Sequence, residues 1–371
     1  MLPILTRRDL IAQVASEQSL LRGPDRIGVA MHSTSGSSGM PTKFYVSAMN
    51  MEYNNIRSLA QYFIEGRDLT KPKTLLQHSP EHFADGFNVE RKGSWLYHLD
   101  SFFASGGTKH IRYFHPAIRK LATELARDEI GYLIASPRII EPLLREAEEE
   151  LLSNSGLSMW MPIGEGADDS LREKFAQRGV PVRSSYSAEE VGLIASECEF
   201  TPGKFHVATS NVVVEIDRGE KIHMNGVELG RVLVTHLHSY ATPMIRYDIG
   251  DFASLAPVCS CGHDGPTLSN ICGRTKSLLK HADQSLTPFY VRNSELLEIV
   301  NLREYRIRQT GYGTIKIELC AQEDVTQCQR SRLIELLRRH CTDSFDVEVQ
   351  VVKEIDWGSD RKRLGYRCDI L

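Results

Sequence analysis

His32-Ser33-Thr34-Ser35-Gly36-Ser37-Ser38-Gly39-Met40-Pro41-Thr42 alternates small hydroxyl residues with glycine and closes on proline. Arg26-Ile27-Gly28-Val29-Ala30-Met31 reads as a strand entering this run, and Lys43-Phe44-Tyr45-Val46 as a strand leaving it. Glycine lets the backbone turn tightly and approach a ligand closely. Successive N–H groups can then face one concavity, which suits an anion. Ser and Thr hydroxyls add donors for phosphate oxygens. A flexible linker has the same Ser/Gly composition. The shortness of the run and its place between apolar segments favour a phosphate-binding loop. The Gly-Lys-Ser/Thr of a Walker loop does not follow at the required spacing.

Outward from this loop, helical and strand patterns alternate. Helices are expected over residues 9–21, 51–63, 116–129, 137–152 and 169–177. In the second of these, Ile56, Leu59, Ala60 and Phe63 share one face. Strands are expected at 74–76, 110–114, 132–135 and 159–163. Such alternation predicts an α/β fold with a parallel sheet covered on both faces. From Val207 the texture changes to strands joined by short turns, at 212–216, 230–235 and 252–255, which reads as an appended antiparallel sheet or small barrel. The last part, with strands at 315–319 and 347–352 and a helix at 327–340, reads as a small α+β unit. The expected architecture is a large N-terminal α/β domain over 1–275 and a small C-terminal domain over 276–371.

The chain has 371 residues, 41% of them hydrophobic and 25% charged, as in ordinary globular proteins. A net charge of −4 gives a nucleic-acid partner no electrostatic support. No apolar run approaches the roughly 20 residues that span a membrane. Met1-Leu2-Pro3-Ile4-Leu5-Thr6-Arg7-Arg8 lacks the apolar core of a signal peptide, so a cytoplasmic location is expected. The eight cysteines are scattered apart from Cys259 and Cys261, the pattern of reduced thiols.

Three later stretches sharpen the reading of the loop. Tyr186-Ser187-Ala188-Glu189-Glu190 is an acidic turn after a strand. Arg246-Tyr247-Asp248-Ile249-Gly250-Asp251 reads as a polar turn ending on an exposed Asp. Gly273-Arg274-Thr275-Lys276 follows. In this order, together with the loop, the motifs resemble the adenylate-forming enzymes, and within them the phenylacetate–CoA ligase-like branch. That branch carries Thr after the loop proline, as Thr42 does here. The opening Leu2-Pro3-Ile4-Leu5-Thr6-Arg7-Arg8-Asp9-Leu10 resembles its Pro-x-x-Thr-Lys-x-Asp-Leu. The branch's preceding helical segment is not seen, which points to an atypical short member.

The resemblance implies that a carboxylic acid attacks the α-phosphate of ATP, giving an acyl-adenylate and pyrophosphate. Thr34, Ser35, Gly36, Ser37, Ser38 and Gly39 are expected to hold the phosphates. Glu190 is expected to hold Mg²⁺, a hard cation that prefers oxygen. Tyr186 is expected to stack on adenine, Asp251 to accept the ribose hydroxyls, and Arg274 to contact ribose or phosphate. Lys276 is expected at the hinge of a mobile C-terminal domain. Two departures stand out. Glu189 replaces a hydroxyl residue of the acidic motif, and either points outward or alters the metal site. The family's C-terminal lysine falls in the degenerate stretch Trp357-Gly358-Ser359-Asp360-Arg361-Lys362-Arg363, where Lys362 is the candidate and a solvated charge run the plain alternative.

Members of the branch also show a Cys…His…Cys-x-Cys spacing similar to Cys198, His206, Cys259 and Cys261, with His263 as a rival for His206. Three thiolates and an imidazole make a structural zinc site; free cysteines are the alternative. An aromatic acid is expected, with Phe87, Gly164 and Ser185 in the pocket wall, and some members of the branch act in antibiotic biosynthesis. The acceptor is CoA, a carrier-protein thiol, an amine or a reductase, and association as a homodimer is left open. A rival reading is a degenerate protein of this fold that binds a nucleotide or aromatic ligand without turnover.

Overall fold

The computed structural model describes residues 2–15, 28–34, 42–79, 83–84, 86–95, 102–113, 118–127, 129–153, 156–224, 226–273, 278–341, 345–357 and 365–370. The chain opens with helix α1 (Arg7–Ala15), which covers the described part of the helix expected over 9–21; residues 16–27 lie outside the described set. An antiparallel hairpin follows, β1 (Ala30–Ser33) and β2 (Lys43–Val46), in register from Ala30↔Val46 to Ser33↔Lys43. Helix α2 (Ala48–Ile64) then starts at Ser47, whose hydroxyl accepts from the Asn50 amide at 3.2 Å. Such a side-chain cap satisfies one of the orphan donors of the first turn.

The α/β layer is a five-stranded sheet. Its elements are β3 (Lys73–His78), β4 (Phe87–Lys92), β5 (Thr108–Tyr113), helix α3 (Ile118–Arg127), β6 (Gly131–Ala135), helix α4 (Pro137–Leu152) and β7 (Leu157–Pro162). The strand order is β4-β5-β3-β6-β7, with β4 antiparallel and the others parallel. The order reverses around β3, so the crevice at the carboxyl ends of β3 and β6 is where an open α/β sheet binds ligands. Gly131 takes φ +63°, and a Cβ there would stand 1.9 Å from the Pro72 carbonyl oxygen, so only glycine lets β6 approach β3. Leu76, Ile111, Leu133, Trp160, Ile140 and Phe175 pack into one buried core, with Phe175 on helix α5 (Asp169–Gln177).

A seven-stranded sheet follows: β8 (Ser185–Ala188), β9 (Gly192–Glu197), β10 (Lys204–Val207), β11 (Val212–Met224), β12 (Val227–His236), β13 (Tyr247–Ala256) and β14 (Thr267–Cys272). Its order is β11-β12-β13-β14-β10-β9-β8. The antiparallel texture therefore begins at Ser185, earlier than the Val207 expected. The sheet curls until β8, at its edge, reaches back to β13, because residues of both strands share one core with Val212, Val232 and Leu268. The remaining elements are β15 (Leu278–Lys280), β16 (Leu286–Pro288), α6 (Asn293–Leu297), β17 (Leu302–Gly311), β18 (Thr314–Ala321), α7 (Gln327–Cys341), β19 (Asp346–Val351) and β20 (Tyr366–Cys368). β19-β18-β17-β20 form a sheet whose core, with Ile307, Ile317, Leu333 and Leu337, is distinct from the other two. No helix among the described residues is long and apolar enough to cross a membrane.

Two expectations are corrected here. On α2, the face bearing Ile56 and Phe63 turns outward; these residues are 56% and 63% exposed, and Asn50 is buried instead. Asp251 does not end a turn. It sits within β13 and is half-buried.

Candidate active site

The hairpin β1–β2 makes the neck of the Ser/Gly loop. The Thr34 amide donates to the Thr42 carbonyl at 2.9 Å, and the Thr42 amide donates to Thr34 Oγ1 at 3.0 Å. Arg7 Nη2 also donates to Thr34 Oγ1, at 3.3 Å. Thr34 is buried and closes the loop base, while Ser35, Gly36, Ser37, Ser38 and Gly39 lie outside the described residues. Arg274 and Lys276, and the candidate lysine Lys362, also lie outside them.

Three of the remaining motif residues meet on the curled sheet. Tyr186 on β8 donates its hydroxyl to Asp251 Oδ2 on β13 at 2.9 Å. Glu190, 8% exposed, occupies the turn between β8 and β9, and the Tyr247 hydroxyl donates to its Oε1 at 3.4 Å. Glu189 beside it is exposed, which is the outward branch of the alternative posed by its sequence position. After this turn Gly192 takes φ +68°, and a Cβ would lie 3.2 Å from Asn54 Oδ1, so the turn packs closely on α2.

Behind Glu190 runs a polar support that the motifs did not announce. Asn211, fully buried, donates to the carbonyls of Val191 at 3.0 Å and Leu193 at 2.6 Å. Both amide donors are used, so its Oδ1 accepts from His236 Nε2 at 2.9 Å. His236 is thus neutral with its proton on Nε2. Burial, with Arg57 and His238 nearby, holds its pKa down to about 4. The signal available in sequence was a polar face on α2, Asn50-x-x-x-Asn54-x-x-Arg57.

The candidate pocket residues are not all brought together. Gly164 follows β7 and Ser185 opens β8, where Ser185 is exposed. Phe87 begins β4, at the opposite sheet edge, four strand spacings or about 19 Å from β7. There it packs half-buried against the α/β core.

A second cluster is complete. Cys198, His206, Cys259 and Cys261 place their ligand atoms within 4.8 Å of one another. Cys259 Sγ lies 3.7 Å from Cys198 Sγ, and Cys261 Sγ 3.5 Å from His206 Nε2. Tetrahedral zinc with Zn–S bonds of about 2.3 Å sets sulfur atoms about 3.8 Å apart, so the donor set fits this ion in chemistry and in size. Hydrogen bonds from the Cys261 backbone and the His206 side chain hold the Cys259 thiol down to about 6. His263 does not join the set; its ring stacks on His206 with centroids 4.1 Å apart.

Where α4 meets the C-terminal sheet, a small open cleft, with about 70 Å³ of interior space, lies beside Arg138, Glu141, Asn293, Tyr305 and Trp357. Arg138 sits 3.5 Å from Glu165, in the turn after β7, and 4.9 Å from the Tyr305 ring centroid. Burial raises the Glu141 carboxyl to about 7; a hydrogen bond from Asn293 works against this, and Asp168 and Glu165 add to it. Burial also raises Glu165, with Arg138 opposing.

The parallel sheet, the curled sheet and the C-terminal unit, in this order, are those of the adenylate-forming ligases, and the chain has that fold. Among solved structures it is similar to 2-hydroxyisobutyryl-CoA ligase in the postadenylation state with 2-HIB-AMP, with TM-score 0.66 and 16% identity, over 99% of this chain and 79% of that one. Anthranilate CoA ligase AuaEII in complex with anthranoyl-AMP is similar at TM-score 0.56 and 13% identity, over 89% of this chain and 64% of that one. Among curated proteins, CapK of Staphylococcus aureus is 23% identical over 265 residues, 68% of this chain and 54% of CapK. The chain thus spans about half the length of the curated relative it matches. No model of a known protein family matches it.

Proposed function

We propose that this protein activates a carboxylic acid with ATP, forming an acyl-adenylate and releasing pyrophosphate, then passes the acyl group to an acceptor. The observation that carries the reading is the meeting of Tyr186, Asp251 and Glu190 on the curled sheet. Asp251, oriented by the Tyr186 hydroxyl, accepts the ribose hydroxyls, and the Tyr186 ring forms a wall for adenine. The neck at Thr34 and Thr42 anchors a Ser/Gly loop that cradles the phosphates through its amides and hydroxyls.

Glu190 holds Mg²⁺, and Asn211 clamps the backbone after it. When bound, the ion neutralises charge on the phosphate oxygens. The chain's own part is positioning, which by itself supplies much of the rate for phosphoryl chemistry. Lys362 is proposed to reach the acid and the α-phosphate, and Arg274 the ribose or phosphate, with Lys276 the pivot between a domain over 1–275 and one over 276–371. We assign the chain to the phenylacetate–CoA ligase-like branch and its substrate to the aromatic acids, with Gly164 and Ser185 in the pocket wall. The Cys198–His206–Cys259–Cys261 set holds a structural zinc.

Replacement of Glu190 tests the reading. Glu190→Ala should abolish Mg²⁺-dependent ATP–pyrophosphate exchange with an accepted acid, and full exchange in that variant removes Glu190 from the mechanism.

A further inference from the structure

We infer that the cleft between α4 and the C-terminal sheet is the acceptor site and that it takes a primary amine, which makes the protein an amide-forming ligase. The inference rests on the adenylation proposed above. Two acceptor atoms in this cleft, Glu141 Oε2 and Asn293 Oδ1, are buried with no hydrogen-bond partner. Asn293 already donates its amide to Glu141, so its oxygen faces away from that bond. Buried polar atoms without partners cost free energy. What both of them require is a donor.

The other charged groups of the cleft are engaged. Arg138 pairs with Glu165 and lies over Tyr305. Arg303 donates to the Lys353 carbonyl at 3.4 Å, and Glu304 accepts from Trp357 Nε1 at 3.4 Å. The Glu141 carboxylate and the Asn293 amide oxygen stand side by side in the cleft, next to the Arg138 guanidinium. An ammonium or amine offers several N–H donors to such a pair, whereas a thiol offers one weak donor. Glu141, with Glu165 and Asp168 near it and Arg138 acting against them, favours a cation over a thiolate. The cleft also adjoins the carboxyl ends of the parallel strands, through Arg138 after β6 and Glu165 after β7.

The transfer balances as follows. The bound ammonium gives one proton to the Glu141 carboxylate and becomes a neutral amine. Its lone pair forms the N–C bond to the acyl carbon of the adenylate. The C–O bond to the phosphate breaks, AMP leaves with that electron pair, and the second nitrogen proton goes to solvent. A carboxyl held near neutrality is suited to accept the first proton.

Trp357 lines the cleft, while Trp95 and Trp160 are buried elsewhere, so intrinsic fluorescence reports occupancy without any acid or ATP. The full-length protein is titrated with the twenty amino acids, ethanolamine and putrescine, and separately with CoA. At least one amine should give a saturable change in emission that disappears in Trp357→Phe. Its half-saturation concentration should rise tenfold or more in Glu141→Gln and in Asn293→Leu, each checked for wild-type circular dichroism. No response to any amine, or a response to CoA that Glu141→Gln leaves unchanged, overturns the inference. Adenylation itself is read apart, by ATP–pyrophosphate exchange in the wild-type protein. Loss of exchange with a persisting Trp357 response would fault adenylation and leave the amine site standing.

Discussion

Tyr186 on β8 and Asp251 on β13 stand four strands apart in the sheet order, yet the Tyr186 hydroxyl donates to Asp251 Oδ2 at 2.9 Å. The curl of the sheet brings them together, and the bond orients the Asp251 carboxylate. Tyr186→Phe keeps the ring and removes that constraint. The loss of one hydrogen bond to a charged group, about 1.5 kcal/mol, should raise KM for ATP roughly tenfold while kcat moves far less. Steady-state kinetics decide it; an unchanged KM removes the pair from nucleotide binding.

Zinc should copurify at about one equivalent per chain, and Cys259→Ser should lose it and lower the unfolding midpoint. Cys272→Ser, outside the cluster, should keep the metal. Elemental analysis showing less than about a tenth of an equivalent in native protein would rule the site out.

Acid should destabilise the fold through His236. Its pKa is about 4 in the native protein against 6.5 for the free side chain, so between these values the unfolded chain binds more protons. Stability therefore rises with pH through this window and is lost as pH falls from 6.5 towards 4. The contribution is at most about 3 kcal/mol. His236→Gln should flatten the dependence of urea-unfolding free energy between pH 5 and pH 7, and an unaltered slope would clear His236 of this role.

Much of the architecture was legible because periodicity and turn chemistry agree with the tertiary contacts. β3, β6, α4 and β19 lie where their apolar patterns put them. The cysteine set was legible as well, since Cys-x-Cys after a strand confines two ligands to one turn and leaves only the other two to be found. What misled was context. On α2 the apolar stripe at Ile56 and Phe63 faces outward because Asn50 donates to the His238 carbonyl at 3.0 Å, and Arg57 donates to Asn54 at 2.7 Å. Those polar contacts seat the helix together with Leu59 and Tyr62, which pack against Leu69 and Trp95. Asp251 looked like a turn residue because Gly250 precedes it, yet it lies inside β13, where the pairing with β12 shifts register between Asp248 and Phe252. Phe87, which the resemblance placed in the pocket wall, opens the edge strand β4. Asn211 left no sequence signal, since a single Asn ahead of a Val-rich strand is read as a turn.

Acid-dependent ATP–pyrophosphate exchange tests adenylation most directly. The purified full-length protein, with Mg²⁺, is offered a panel of benzoic, arylacetic, cinnamic and phenazine carboxylic acids. Exchange should appear with at least one aromatic acid and vanish when Mg²⁺ is withheld. ATP binding without exchange for any acid would contradict adenylation and point to a nucleotide-binding protein built on the same fold.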